Sequence, residues 1–262
     1  MVFNTLAAWN NWEPPSNKMV KTYSAVPYSK LNQELQVSDS IINIEWEIKR
    51  TDSVTVVTAY VKDKNHSLIQ KLKVPFVRTD FVNRMIATVK RIQKELNALS
   101  KEYKVGPMEN SKIPKQYCAY ISLESKLGEK ASKMMASNAY ILTYLEDNNI
   151  AIMGHPFVEV SQWNKEKGSM TFNFCFPVAH NEDYQSTEDI KFKMTQEKPA
   201  LKTIFNGNYR ISDCAWFSII DFAEQKNIDI ERLPTEIFFN DPHEGGNDRE
   251  WKAEIYMPLN NN

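Results

Sequence analysis

The strongest constraint on this chain is that its second half repeats itself. The segment LEDNNIAIMGHPFVEV, from Leu145 to Val160, and the segment AEQKNIDIERLPTEIF, from Ala223 to Phe238, share Glu146/Glu224, Asn149/Asn227, Ile150/Ile228, Ile152/Ile230 and Pro156/Pro234 at one constant offset, 78 residues. Further on, TFNFCFPV (Thr171 to Val178) aligns with KAEIYMPL (Lys252 to Leu259), pairing Pro177 with Pro258 at an offset of 81. The second copy has therefore gained about three residues, and they are expected in the loop from Asp241 to Asp248. Each copy begins with a strand candidate, Tyr117 to Leu123 or Ala200 to Phe205, followed by a helical pattern, Glu129 to Asp147 or Ser212 to Gln225. A unit of strand, helix, strand, strand cannot hide both faces of its sheet. Two such units related by a pseudo-twofold axis can join their sheets and leave a groove, where function is sought.

The first half has a different texture. Val2, Phe3, Leu6 and Trp9 stand at helical spacing before Pro14-Pro15. From Leu31 to Val74 the pattern is β, with SIINIEWEIKR alternating through Ile42, Ile44, Trp46 and Ile48, SVTVVTAYVK rich in β-branched residues, and Thr51-Asp52-Ser53 as a hairpin turn. Phe81, Met85, Val89, Ile92, Leu96 and Leu99 form one helical stripe that Asp80 would cap. The polar run from Gly106 to Lys115 reads as a linker. The expected division is residues 1–105, linker 106–115, and residues 116–262.

Composition narrows the function classes. Lys and Arg total 32 against 33 for Asp and Glu, which gives no basic field for a phosphate backbone, so no direct nucleic-acid partner is expected. No apolar run is long enough to span a bilayer, and the opening residues lack a signal-peptide pattern. Cys118, Cys175 and Cys214 are odd in number and widely spaced, which argues against a disulfide framework or a zinc site. A cytoplasmic location without membrane contact is the expectation. His155 and His243 fall in no metal-ligand spacing, the loop Asp241 to Gly246 lacks the helix that a phosphate-binding loop needs, and no nucleophile motif occurs. No metal, cofactor or catalytic residue is assigned, and whether the chain is an enzyme is left open, with binding favoured.

The second half resembles the gyrase-inhibitor-like (GyrI-like) effector-binding domain, also the sensor domain of some bacterial transcription activators. The resemblance rests on the duplicated unit, on Tyr209 after Gly207-Asn208, and on the closing sequence EIFFNDPHEGGNDREWKAEIYMPL from Glu236 to Leu259. The first half is similar, in VFNTLAAWNNWE, the strands from Leu31 to Val74 and the helix from Phe76 to Tyr103, to part of a START-like (SRPBCC) helix-grip fold. Together they imply an α+β chain: a duplicated pseudo-twofold GyrI-like domain after an N-terminal partial helix-grip region.

Strand alternation puts Glu254 and Tyr256 on one face of the last strand, opposite Ala253, Ile255 and Met257. A carboxylate lining the groove needs a partner, either a neighbouring donor or a cationic ligand. The resemblance implies the ligand, because an acidic residue on this strand is the family's pocket anchor; on a solvated face Glu254 would need neither. Its counterpart in the first repeat is Asn173. Aromatic residues that would stack on a ligand or attract a cation include Tyr120, Trp163, Phe174, Tyr209, Trp216 and Tyr256. The expected function is binding or sensing of small amphipathic, aromatic or cationic molecules. Two alternatives stand beside it: a GyrI-like hydrolase of electrophilic compounds with Glu254 as general base, and a protein-interaction or regulatory module.

Overall fold

The computed structural model describes residues 2–7, 20–26, 29–37, 40–50, 54–64, 80–164 and 169–260. It divides into two compact units, Met1–Lys101 and Glu102–Asn262. Unit 1 contains α1 (Val2–Ala7), β1 (Val20–Val26), β2 (Lys30–Val37), β3 (Ser40–Arg50), β4 (Thr55–Asp63) and α2 (Asp80–Leu99). The four strands form an antiparallel sheet in sequence order. The alternation read in β3 is real, since Ile42, Ile44 and Trp46 are buried with Leu31, Leu35, Leu6 and Ile92. Buried Gln33 is satisfied on both sides: Trp46 Nε1 donates to its Oε1 at 2.9 Å, and its Nε2 donates to the Leu6 carbonyl at 2.9 Å. Strand β1 was not foreseen, because its side chains from Lys21 to Val26 are exposed and show no buried alternation. Trp9, Pro14-Pro15 and the Thr51 to Ser53 turn lie outside the described residues, as does the Asp80 side chain.

Unit 2 is built on one nine-stranded antiparallel sheet. In chain order its elements are β5 (Tyr103–Val105), β6 (Glu109–Ile113), β7 (Tyr117–Lys126), α3 (Lys130–Asp147), β8 (Phe157–Asn164), β9 (Ser169–Pro177), β10 (Ile190–Met194), β11 (Lys198–Gly207), α4 (Asp213–Lys226), β12 (Thr235–Phe238) and β13 (Lys252–Pro258). The order across the sheet is β10-β7-β9-β8-β12-β13-β11-β5, with β6 also paired to β11. The segment read as a linker is therefore part of the sheet. Strand β11 would otherwise leave a long unpaired edge, and β6 and β5 cover it in turn, at Lys198 to Lys202 and at Phe205 to Gly207. An edge strand needs only one buried side chain here, Ile113, which is why its sequence looks like loop. The units divide between Lys101 and Glu102 rather than at the polar run.

The repeat is present atom by atom. Asn149 and Asn227 are the two non-glycine residues with positive φ among the described residues, at 54° and 53°. Each ends its helix in the left-handed conformation that asparagine tolerates, and Ile150 and Ile228 then donate back to the carbonyls of Leu145 and Ala223, both at 2.8 Å. The matched prolines mark the joint. Phe238 N donates to the Pro156 carbonyl and Val160 N to the Pro234 carbonyl, both at 3.0 Å, a reciprocal exchange between equivalent positions. Strands β8 and β12 pair Val158 with Glu236, which are also equivalent in the repeat, so the pseudo-twofold axis passes between them.

Both helices pack on one face of this sheet. The core there unites Phe172, Phe174, Phe176, Ala253, Ile255, Met257 and Phe205 with Ile141, Leu145, Trp216 and Ile219. The other face carries a smaller apolar cluster of Cys118, Phe157, Cys175, Ala200, Ile237 and Tyr256. No helix among the described residues is long and apolar enough to cross a membrane.

Candidate functional site

The residues picked out in the sequence do not converge on one groove; the sheet separates them. Glu254, Tyr256, Tyr120 and Asn173 lie on the face away from the helices. Phe174, Tyr209, Trp216 and Trp163 belong to the helix side.

On the first face, the partner that Glu254 requires comes from the chain. Its Oε1 is 3.1 Å from Lys252 Nζ and 3.3 Å from Lys202 Nζ, and its Oε2 accepts from the Tyr256 hydroxyl at 2.7 Å. Burial pushes the Glu254 pKa up, but the hydrogen bonds from Tyr256 and Lys252 and the charge of Lys202 bring it below the ordinary carboxylate value. Tyr256 is shifted upward, by burial first and then by its bond to Glu254. Lys202 lies 5.6 Å from the centre of the Tyr256 ring. A second set repeats the arrangement: Lys193 pairs with Glu159 and lies 4.8 Å from the centre of the Tyr120 ring, while Asn173 Nδ2 donates to Glu159 at 3.1 Å. Between Glu159, Asn173, Lys193, Thr195 and Lys198 is a polar cavity of about 340 Å³. Asn173 is thus not a blank counterpart of Glu254, since it orients a different carboxylate.

On the helix side a larger cavity, about 640 Å³, opens between α3 and the loop that follows β12. Its walls are Met134, Met135 and Leu142 from α3, Phe174 and Phe176 from β9, Phe238 and Phe239, and Trp251. Polar groups stand around it at Asn138, His155, Asn240, Asp241, His243 and Glu244. Tyr209 is fixed in this wall: its hydroxyl donates to the Lys252 carbonyl at 2.7 Å and accepts from Asn240 N at 3.1 Å. Burial raises its pKa to about 12. The volume falls in the range of small-molecule sites, and the lining has the expected mixture of aromatic walls and a few polar groups. Sequence reasoning found Phe174 and Tyr209 here but missed the α3 methionines, whose helical spacing reads as core.

The axis holds the feature that was missed altogether. Glu236 is completely buried, and its carboxylate accepts from Lys130 Nζ at 2.5 Å, from the Ser212 hydroxyl at 3.2 Å and from Trp216 Nε1. Lys130 Nζ also donates to Ser212 Oγ at 2.8 Å and lies 4.6 Å from the centre of the Trp216 ring. The indole of Trp216 thereby finds the polar partner that a buried indole requires. Trp163 meets the Trp216 ring edge-on, with centroids 5.5 Å apart. Neighbouring Asp213 is buried as well, and burial raises its carboxyl pKa against the opposing charge of Lys130. The signal in the sequence was the single charged residue in the short strand Thr235–Phe238, at a position where the other repeat has Val158. Among the described residues no group of three His, Cys, Asp or Glu side chains is arranged to hold a metal ion.

Residues 104–260 match the GyrI-like small molecule binding domain. The chain belongs to that family. Among solved structures, the EcmrR–DNA complex is similar at 15% identity, with a TM-score of 0.50, over 74% of this chain and 71% of that one. The isolated EcmrR C-terminal domain is similar at 16% identity, with a TM-score of 0.48, over 61% of this chain and 99% of that one. SAV2435 bound to tetraphenylphosphonium aligns at 10% identity, with a TM-score of 0.40, over 59% of this chain and 94% of that one. No curated protein matches the chain. The GyrI-like match begins at residue 104, so the helix-grip resemblance of unit 1 rests on its sequence.

Proposed function

We propose that this GyrI-like domain binds or senses a small amphipathic aromatic molecule in the cavity between α3 and the loop after β12. The observation that carries the reading is the lining itself: Met134, Leu142, Phe174, Phe176, Phe238 and Trp251 form apolar and aromatic walls around about 640 Å³, with Asn240, Asp241 and His243 at hand to orient one polar end. Methionine side chains adapt to flat ligands of different outline. A positive substituent is best accommodated beside Asp241 and Glu244, because the Glu254 carboxylate is already held by two lysines. The same two lysines weaken the hydrolytic alternative, since a pKa shifted downward is the opposite of what a general base at neutral pH needs. The balance of charge, net −1, supports a small-molecule partner over nucleic acid.

The test is a thermal-shift titration of the whole chain with a neutral naphthol and its trimethylammonium analogue. Stabilisation of the wild type that is lost in Met134→Trp, which fills the cavity, and kept in Glu254→Gln supports the assignment. Stabilisation kept in Met134→Trp but lost in Glu254→Gln would move the ligand to the opposite face of the sheet. No shift with either compound would reject an aromatic ligand. At 100 times its dissociation constant a ligand adds about 2.7 kcal/mol to stability, which such a titration resolves.

A further inference from the structure

Perfect twofold symmetry sets a rule at its own axis: a residue there meets its own copy. Val158 and Glu236 face each other across the β8–β12 junction in this way. Lys130 and Ser212 do the same at the helix starts, each following a short turn that begins at Leu127 or Tyr209, and they meet at 2.8 Å. At both places the repeats differ, and the differences fit each other, one carboxylate and one ammonium. The surroundings are those of a cation receptor. A carboxylate whose oxygens accept from Trp216 Nε1 and the Ser212 hydroxyl stands at the edge of the indole, and the ring itself lies under the Lys130 ammonium, in a space closed to solvent, with Lys130 2% exposed and Glu236 0% exposed. A desolvated carboxylate together with an aromatic face is how proteins bind ammonium groups.

We infer that Glu236, Trp216 and Ser212 form a cation-binding site on the pseudo-twofold axis and that the chain fills it with the Lys130 ammonium as an internal ligand. The ligand class is a primary alkylammonium, because the three-proton head meets Glu236 Oε2 and Ser212 Oγ while the indole lies 4.6 Å away. The neighbouring cavity is reached through adjoining residues, Ala131 next to Lys130, Phe238 on the same strand as Glu236, and Tyr209, whose carbonyl is 3.0 Å from Ser212 Oγ. The internal ammonium excludes external cations from the buried carboxylate. This inference does not depend on which molecule the cavity binds.

Chemical rescue of the full-length chain tests it. Lys130→Ala removes the lysine side chain beyond Cβ, a propylammonium group that n-butylammonium matches to within one methylene, and leaves the receptor in place. n-Butylammonium chloride is expected to raise the melting temperature of that variant by at least about 2 °C over equal sodium chloride, while leaving the wild type unmoved because its site is filled. The effect should vanish in Lys130→Ala/Glu236→Gln. Equal rescue by 1-butanol would show that only volume is being refilled and would overturn the inference, as would rescue by neither compound. If Lys130→Ala does not fold unaided, refolding is read instead by far-ultraviolet circular dichroism. Recovery with n-butylammonium and not with 1-butanol supports the internal-ligand reading; recovery with both or with neither overturns it.

Discussion

The two faces of the unit 2 sheet use the same three parts, a carboxylate, a lysine and an aromatic ring, in different surroundings. At the axis, Glu236 and Lys130 are sealed among the helices, whereas on the opposite face Glu254 and Lys202 keep 15% and 16% of their side-chain surface in water. The contacts look alike, but the energetics should not. Water screens and repays the second set, while the first depends on every donor being in place. Accessibility, rather than the list of contacts, therefore decides which set the fold cannot lose.

Breaking the axis set should have the largest effect. Glu236→Gln or Lys130→Met is expected to cost about 3–5 kcal/mol in urea unfolding, because each strands one buried charge. The double variant Lys130→Met/Glu236→Leu should recover much of that loss, since neither member of the pair is left facing a missing partner. Costs that simply add would show that the two residues act independently. Next comes Trp216→Phe, which removes the indole donor to Glu236 and is expected to cost about 1.5–3 kcal/mol in the same assay. The smallest effect belongs to the open face: Lys202→Met should cost less than about 1 kcal/mol and lose most of that at high salt. A loss as large as that of Lys130→Met would erase the distinction between the faces.

Acid sharpens the comparison. The Glu254 pKa is lower in the folded chain than its ordinary value of 4.5, so its contribution is complete above the unfolded value and disappears as pH falls through the folded one. The stability gap between wild type and Glu254→Gln should therefore be constant near pH 6 and close below about pH 4.5, as followed by urea unfolding across that range.

What could be read in the sequence was what local chemistry writes there. Asn149 and Asn227 betray the repeat because each occupies a backbone conformation few residues tolerate, and Pro156 and Pro234 because each carbonyl closes the joint. That Glu254 and Tyr256 share one face followed from strand alternation alone, but their hydrogen bond did not. Contacts between distant elements were not legible. Nothing near Lys130 in sequence announces Glu236, and nothing in Glu109–Ile113 announces the edge of β11 that it covers. The aromatic residues were recognised as a group, but their division between two faces depends on the sheet order, which no single strand encodes.

The mismatch of Val158 with Glu236 has a consequence for how such a molecule can arise. Two identical chains meeting about a true dyad must place the same side chain twice at the centre, which there means two apolar groups, two neutral polar groups or two like charges in contact. Joining the copies in one polypeptide lifts that restriction, because each half can then drift by itself. A lone acid answered by a lone base at the centre of the sheet is accessible to the fused chain and closed to the homodimer.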